Sequence, residues 1–367
     1  MILFIFGAGA SYDSDPLRSP NGGGREAGRP PLANQLFYVD NDFARAAVEQ
    51  YPRVKPAVMK LRAEINRGVN VEAALQDLQK EAAYFPEASA QLMAVQCYLQ
   101  QLLSSASYEW IRNCTGLTNY VSAMNQAARW AAKNGESVEC VTFNYDTLLE
   151  EGIEAVNGQK YIDLGSYTNN IIPVYKPHGS VTWARRAHLP GNTQRWGDAR
   201  GARRYACDHA NAIKLSDDYA WRRLDQPLQD DGDTQIMWLP ALAIPIEGKT
   251  EFVIPSDQLD SLTSSLGSVT MVIAIGWRGG ERHFLSLLSQ GLRSDRSDIP
   301  LVVVSESRES ADVTLRNLRE VLRFGRYLLL DGGFTQFAEF RDTQPISSRR
   351  PPTNLTDVLV GNIEWAG

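Results

Sequence analysis

The sequence predicts an α/β protein: a parallel sheet with helices on both faces, carrying a helical insertion and a small irregular module. Three observations lead there. The chain opens on an unbroken run of β-forming apolar residues, Ile2 to Phe6, the pattern of a strand buried on both faces. Runs of the same kind recur at Val138–Phe143, Met271–Ile275, Leu301–Val304 and Tyr327–Leu330, with further candidates at Ile171–Tyr175 and Ile236–Leu239. Helical stretches at Asp146–Ala155, Arg282–Leu292, Ala311–Leu322 and Phe334–Phe340 separate several of them, and this alternation indicates a Rossmann-like sheet.

After the first strand, Gly7 and Gly9 allow a tight turn with no Cβ in the way, and Ser11 is suited to capping a helix. A buried strand, a glycine turn and a helix start together make an anion site, whose natural guest is the pyrophosphate of a dinucleotide. The full dinucleotide fingerprint asks for a third glycine where this chain has Tyr12. A glycine turn is also ordinary α/β punctuation, so both readings stand at this point. Residues 12–31 are rich in Gly, Pro and Arg (Asn21-Gly-Gly-Gly-Arg25, Arg29-Pro-Pro31), a long loop over the turn that reads equally as a lid or as plain surface.

A short helix is expected from Ala33 to Phe37, and residues 41–134 read as a helical insertion. Val71, Ala74, Leu75, Leu78 and Ala82 have helical spacing, which resumes after Pro86 at Leu92, Val95, Leu99, Leu102 and Leu103. Thr118 to Lys133 forms another amphipathic helix. Residues 184–233 break the rhythm: they are polar, with Arg185, Arg186, Arg195, Arg200, Arg203 and Arg204 near Trp183 and Trp196, and read as an irregular Arg-rich module. The expected organisation is one domain over 1–342 with these two inserts, and a C-terminal tail over 343–367 that begins as Pro-rich coil.

Composition narrows the function. The chain has 367 residues, room for a sizeable core, and a net charge of −6, which argues against non-specific nucleic-acid binding. The four cysteines, Cys97, Cys114, Cys140 and Cys207, form no C-x-x-C pair, so neither a disulfide framework nor a zinc ribbon is expected, and no metal. Reduced thiols, no stretch resembling a signal peptide and no run of membrane-spanning length lead to the expectation of a cytoplasmic protein.

The chemistry-bearing residues sit where strands end. Asn144 and Asp146 follow the Val138–Phe143 strand, and ligands of open α/β sheets bind at that edge. Alternate residues of extended chain share a side, so both can face one crevice, or cap the following helix instead. His178 lies in Tyr175-Lys-Pro-His-Gly179, a tight turn beyond a strand candidate, and is one of only four histidines. It is a candidate base near neutral pH, or a structural histidine. Gly276 with Trp277, and Ser305, end two further buried runs and can approach a ligand at the same edge.

Gly7-Ala-Gly-Ala-Ser11, Asn144-Tyr-Asp146, His178-Gly179 and Gly276 occur in an order that resembles the sirtuin superfamily. The wording Phe143-Asn-Tyr-Asp-Thr-Leu-Leu-Glu150, Lys176-Pro-His-Gly-Ser180 and Pro30-Pro-Leu32, with a partial match at Ile244-Pro-Ile-Glu-Gly-Lys249, is similar to the bacterial sirtuin-like proteins of antiviral defence. The resemblance departs from the protein deacylases, because only Cys207 follows His178 and their four-cysteine zinc ribbon cannot form. Their Gly-Tyr-Ser stretch appears here as Gly276-Trp-Arg-Gly-Gly-Glu281.

The resemblance implies an NAD hydrolase that cleaves the nicotinamide–ribose bond in antiphage defence, with NAD as substrate and no metal. It implies Asn144, Asp146 and His178 as catalytic residues. Gly7, Ala8, Gly9, Ser11, Gly276, Trp277 and Ser305 would hold the dinucleotide. It also implies a homo-oligomer, and a partner ATPase or Argonaute-like protein. Two other readings stay open: an NAD or ADP-ribose sensor or structural module without turnover, and an NAD-dependent deacylase or ADP-ribosyltransferase.

Overall fold

The computed structural model describes all residues except 18–27, 39–41, 70, 191–198, 227, 230–232, 245–251, 293–298, 340–352 and 367. The elements in chain order are β1 (Ile2–Phe6), α1 (Ala8–Tyr12), α2 (Asp42–Gln50), α3 (Lys55–Asn66), α4 (Val71–Ala82), α5 (Pro86–Asn113), α6 (Asn119–Asn134) and β2 (Val138–Thr142). They continue with α7 (Leu148–Asn157), α8 (Ser166–Asn169), β3 (Val174–Tyr175), β4 (Gly179–His188), α9 (Ala199–Asp208), β5 (Lys214–Trp221), β6 (Ile236–Leu242) and α10 (Ser256–Ser265). The chain ends with β7 (Met271–Ile275), α11 (Arg282–Gly291), β8 (Leu301–Val304), α12 (Arg308–Arg319), β9 (Tyr327–Leu330), α13 (Gly333–Ala338) and α14 (Leu355–Val360).

The main sheet has six strands in the order β3-β2-β1-β7-β8-β9. All are parallel. Counted along this sheet alone the order is that of the doubly wound dinucleotide-binding fold, which reverses between β1 and β7. Every residue of β1 is buried, as its unbroken apolar run demands. Register aligns Phe6 with Thr142 on one side and with Ile275 on the other. The residues after these three strand ends therefore meet in one place.

A second sheet, β5-β4-β6, is antiparallel. It lies against a second apolar core drawn from α2 to α5 and α9, including Val58, Leu75, Tyr98, Leu99, Val181 and Met237. The helical stretch 41–134 thus divides. α2 to α4 and the middle of α5 build the second core, whereas α6 places Tyr120, Ala123, Met124 and Ala127 in the core of the parallel sheet. The stretch read as irregular contains β5, the second half of β4 and α9, although Arg195 and Trp196 fall outside the described residues. Its strands were hidden because β5 is largely exposed and carries little apolar signal.

The C-terminal segment also docks. Asn354 caps α14 in a reciprocal pair with Asp357, and Leu355, Val358 and Leu359 join the first core. Thr356 donates to Gln126 Oε1 at 2.7 Å. Tyr327 and Ala366 exchange two backbone hydrogen bonds, of 2.8 and 3.0 Å, on the outer edge of β9. An exposed strand edge is a template for unwanted pairing, and this contact occupies part of it.

Gly276 has φ of +59°, and a Cβ there would lie 2.3 Å from the nitrogen of Ala10. Left-handed strain and overpacking together predict that Gly276→Ala destabilises the fold by roughly 2–5 kcal/mol. Urea unfolding measures this; a loss below about 1 kcal/mol would mean that the two turns separate easily, against the overpacking cost expected there.

Candidate functional site

The turn after β1 and the turn after β7 are in backbone contact. Gly7 donates to the carbonyl of Ile275 at 3.0 Å, and Gly9 to that of Gly276 at 3.1 Å. Ala10 donates back to Gly7 at 2.9 Å. Of the residues expected to hold a dinucleotide here, Gly7 and Ser11 are buried, Gly9 is half-buried, and Ala8 alone is exposed. The amides of Gly7 and Gly9 thus join two strand ends. Trp277 is buried in an aromatic cluster, its ring stacked on Phe143 at 5.4 Å with Phe284 at the edge. Its carbonyl accepts from Thr314 Oγ1 at 2.7 Å. Ser305 is buried beyond β8, with its amide on Leu330 and its carbonyl accepting from Gly333.

Asn144 lies directly beside this junction. Its Nδ2 donates to the carbonyl of Gly7 at 2.9 Å and to Ser11 Oγ at 2.9 Å, with Tyr120 Oη at 3.3 Å. Ser11 Oγ and Tyr120 Oη are 3.0 Å apart. The side-chain amide therefore ties the end of β2 to the turn after β1. Among the described hydrogen bonds none uses its Oδ1, so Asn144 is oriented as an acceptor. It does not cap α7. Thr147 holds the N-cap position without a side-chain cap, and Asp146, just before it, accepts from Leu148 N with Oδ1 at 3.1 Å. Burial raises the Asp146 carboxyl above its ordinary value of 3.8, against the pull of the Lys176 charge and the Ser11 hydroxyl.

His178 enters from the next strand along. Gly179 donates to the carbonyl of Lys176 at 2.9 Å, closing a turn around Pro177 and His178. Gly179 has φ of +79° and no room for a Cβ, which would sit 1.9 Å from the carbonyl oxygen of Ala241. The turn is thus compressed against β6, and Ala243 N donates to the His178 carbonyl at 2.9 Å. The imidazole is buried, edge-on to Phe143 at 4.9 Å and alongside Tyr145 at 6.1 Å. These two rings flank Asn144 in sequence. The structure thus gathers Asn144, Asp146 and His178 at the C-terminal edge of the parallel sheet, next to its switch point.

Four further residues, Tyr120, Glu150, Tyr167 and Lys176, surround these three. Tyr120, fully buried on α6, contacts Ser11 and Asn144; burial and the charge of Asp146 hold its phenol well above 10.0. Lys176 is fully buried; it donates to the carbonyl of Asp146 and, at 2.8 Å, to Glu150 Oε1. Tyr167 Oη donates to the same carboxylate oxygen at 3.2 Å. Burial raises the Glu150 carboxyl, and the Lys176 charge opposes that rise. Glu150 lies in the first turn of α7 and closes the Phe143–Glu150 stretch whose wording carried the resemblance, so it left a trace in the sequence. Tyr120 left none beyond the apolar stripe of its helix.

The loop expected over the glycine turn is described at its flanks only, since 18–27 lie outside the described residues. Both flanks are anchored. Ser14 Oγ donates to the Ser11 carbonyl at 2.8 Å, and the buried Arg29 donates to the Tyr12 carbonyl at 2.7 Å between the rings of Tyr12 and Trp110. Pro245 to Lys249 of the Ile244–Lys249 stretch also fall outside. Among the described residues no group of three or more His, Cys, Asp or Glu side chains is arranged to hold a metal, and no helix is long and apolar enough to cross a membrane.

No family model matches the chain, and no curated protein matches it. Among solved structures, one match is a mutant Sir2 homologue in complex with 2'-O-acetyl ADP ribose, 11% identical, with a TM-score of 0.38 over 92% of this chain and 88% of that one. The α/β class rests on the strand order and register described above.

The Asn144 contacts make a sharp prediction. In Asn144→Asp a carboxylate oxygen replaces Nδ2 opposite the Gly7 carbonyl, so a 2.9 Å attraction becomes a repulsion. The Gly7 carbonyl keeps its bond from Ala10, so each hydrogen bond lost costs about 0.5–1.5 kcal/mol, and with the added repulsion Asn144→Asp should be no more stable than Asn144→Ala. Denaturant unfolding of the two variants decides; an aspartate variant as stable as the parent removes the amide from its bridging role.

Proposed function

We propose that this protein hydrolyses NAD at the nicotinamide–ribose bond and that the activity serves antiphage defence by depleting NAD. The observation that carries the reading is the convergence of Asn144, Asp146 and His178 beside the β1/β7 switch point, where doubly wound sheets take dinucleotides. The sequence resemblance to sirtuin-like defence proteins supports it, because the same three residues carry the matching motifs. The exposed Ala8, beside the Gly7–Gly276 junction, is the proposed seat of the pyrophosphate.

N-glycosidic cleavage passes through a cationic, oxocarbenium-like state at the anomeric carbon. The bond electrons leave with the pyridinium nitrogen, which becomes neutral nicotinamide. Water adds to the anomeric carbon and gives up a proton, yielding ADP-ribose. In this reading the buried carboxylate of Asp146 favours the developing cation. His178 accepts the proton from water. The free Oδ1 of Asn144 accepts from that water or from a ribose hydroxyl, while its nitrogen stays tied to the protein.

The experiment is nicotinamide release by the purified chain. His178→Ala should fold and lose nearly all release, since a positioned base contributes on the order of 10²–10⁴-fold. Turnover near the parent level in that variant would remove His178 from the chemistry, and binding without release in the parent would leave a nucleotide sensor. The pH profile is a second check. Asp146 must be ionised to stabilise a cation, and its carboxyl is held above 3.8, so activity should fall away on an acid limb lying above that value. A limb at or below 3.8 would show that the ionised Asp146 is not required.

A further inference from the structure

We infer that Lys176 is a positioning residue for bond cleavage: its buried ammonium fastens the Asn144–Asp146 segment to the turn that carries His178. The inference rests on the hydrolase reading above and names the residue that sets the geometry of that site. Lysine is almost never fully buried, and an apolar pair of similar volume commonly stabilises a fold as well as a buried ion pair does. Stability alone gives little reason to place a lysine here, yet its side chain has no exposed surface.

Its contacts point to a different role. Through the side chain it reaches back thirty residues to the Asp146 carbonyl, and at 2.8 Å to Glu150 Oε1 on α7. Through its own carbonyl it accepts from Gly179 at 2.9 Å, closing the turn that contains His178. One residue thus holds both elements that supply the proposed catalytic side chains. The pair is not saturated as a stabilising device: Glu150 Oε2 is buried with no hydrogen-bond partner.

The charge has a second consequence. The groups facing Asp146 are Ser11 on α1, Tyr120 on α6, Glu150 on α7 and Lys176 after β3. Lys176 is the cation among them, and it favours the ionised carboxylate against burial. Removing it raises the Asp146 carboxyl further, so a rate that needs the carboxylate should lose activity at a higher pH than in the parent.

The test replaces both charges at once, Lys176→Met with Glu150→Leu, so that no unpaired charge is left inside. This variant should melt close to the parent, as neutral replacements of buried pairs often do. Its kcat for nicotinamide release should fall by roughly 10²-fold, with KM little changed. If the double variant does not fold, Lys176→Arg keeps charge and counter-ion but not the compact head, and its kcat should fall in the same way. Parent-level kcat in either folded variant overturns the inference.

A third measurement does not depend on turnover. The ring-proton NMR signal of His178, identified by its loss in His178→Gln, should shift in the folded variant. An unmoved signal overturns the positioning role. Were the parent to release no nicotinamide, the hydrolase reading would fall, and this signal would still decide whether Lys176 places His178.

Discussion

The structure depends on two backbones meeting without side chains. At the switch point of the parallel sheet the turns after β1 and β7 approach closely enough for Gly9 to donate to Gly276 at 3.1 Å. A Cβ on Gly7 would lie 2.5 Å from the Gly276 carbonyl oxygen. Glycine is required on both sides, and its cost in backbone entropy is offset because the contact aligns the ends of three strands. Once Phe6, Thr142 and Ile275 share a level, the residues that follow them have little choice of neighbour. Asn144 then finds the Gly7 carbonyl within reach of its amide, and the site is assembled from main-chain geometry before any charge is considered.

Charge is placed afterwards, and sparingly. Asp146 and Glu150 are both buried, which pushes both carboxyls upward, and one buried lysine opposes that shift for each. In the proposed reaction a carboxylate buried in this way would act on a nearby cation with little screening. A more exposed aspartate would be ionised more easily and would act more weakly. Phe143 packs edge-on against His178, and Trp277 and Phe284 pack on Phe143. Trp277, which the sequence suggested as a ligand contact, is buried with its ring against Phe143 and Phe284.

The parallel sheet was legible because its strands are buried on both faces and are written as unbroken apolar runs. Met271–Ile275, Leu301–Val304 and Tyr327–Leu330 coincide with β7, β8 and β9. Of the antiparallel sheet only β6 showed, as the apolar run Ile236–Leu239; β4 and β5 did not, because polar residues interrupt them: β5 reads Lys-Leu-Ser-Asp-Asp-Tyr-Ala-Trp, and Arg185 and Arg186 of β4 reach Asp217 and Asp218 across the pair. Cross-strand ion pairs look like surface charge when read along the chain. The location of Asn144, Asp146 and His178 was readable from strand ends. What Asn144 does with its amide was not, since its partners lie at Gly7, Ser11 and Tyr120, joined to it only by the fold.

The site also lies on the seam between the two cores, and this follows from chain order. β4 begins at Gly179, one residue after His178, and carries Val181 into the second core and Trp183 into the first. Val181 N donates to the Tyr145 carbonyl at 2.9 Å, and Tyr145 Oη donates to the Ala243 carbonyl at 2.7 Å. Gln100 on α5 donates to the Val181 carbonyl at 2.9 Å. The residues on either side of His178 are therefore fixed from opposite directions: Lys176 from the parallel sheet, Val181 from the helices of the second core. A displacement of α5 against the sheet must be taken up within the few residues between those two anchors. Because Gly179 has no space against Ala241, the turn itself is the stiff part. The geometry of His178 is thus coupled to the packing of a helical module that contributes no side chain to the proposed chemistry.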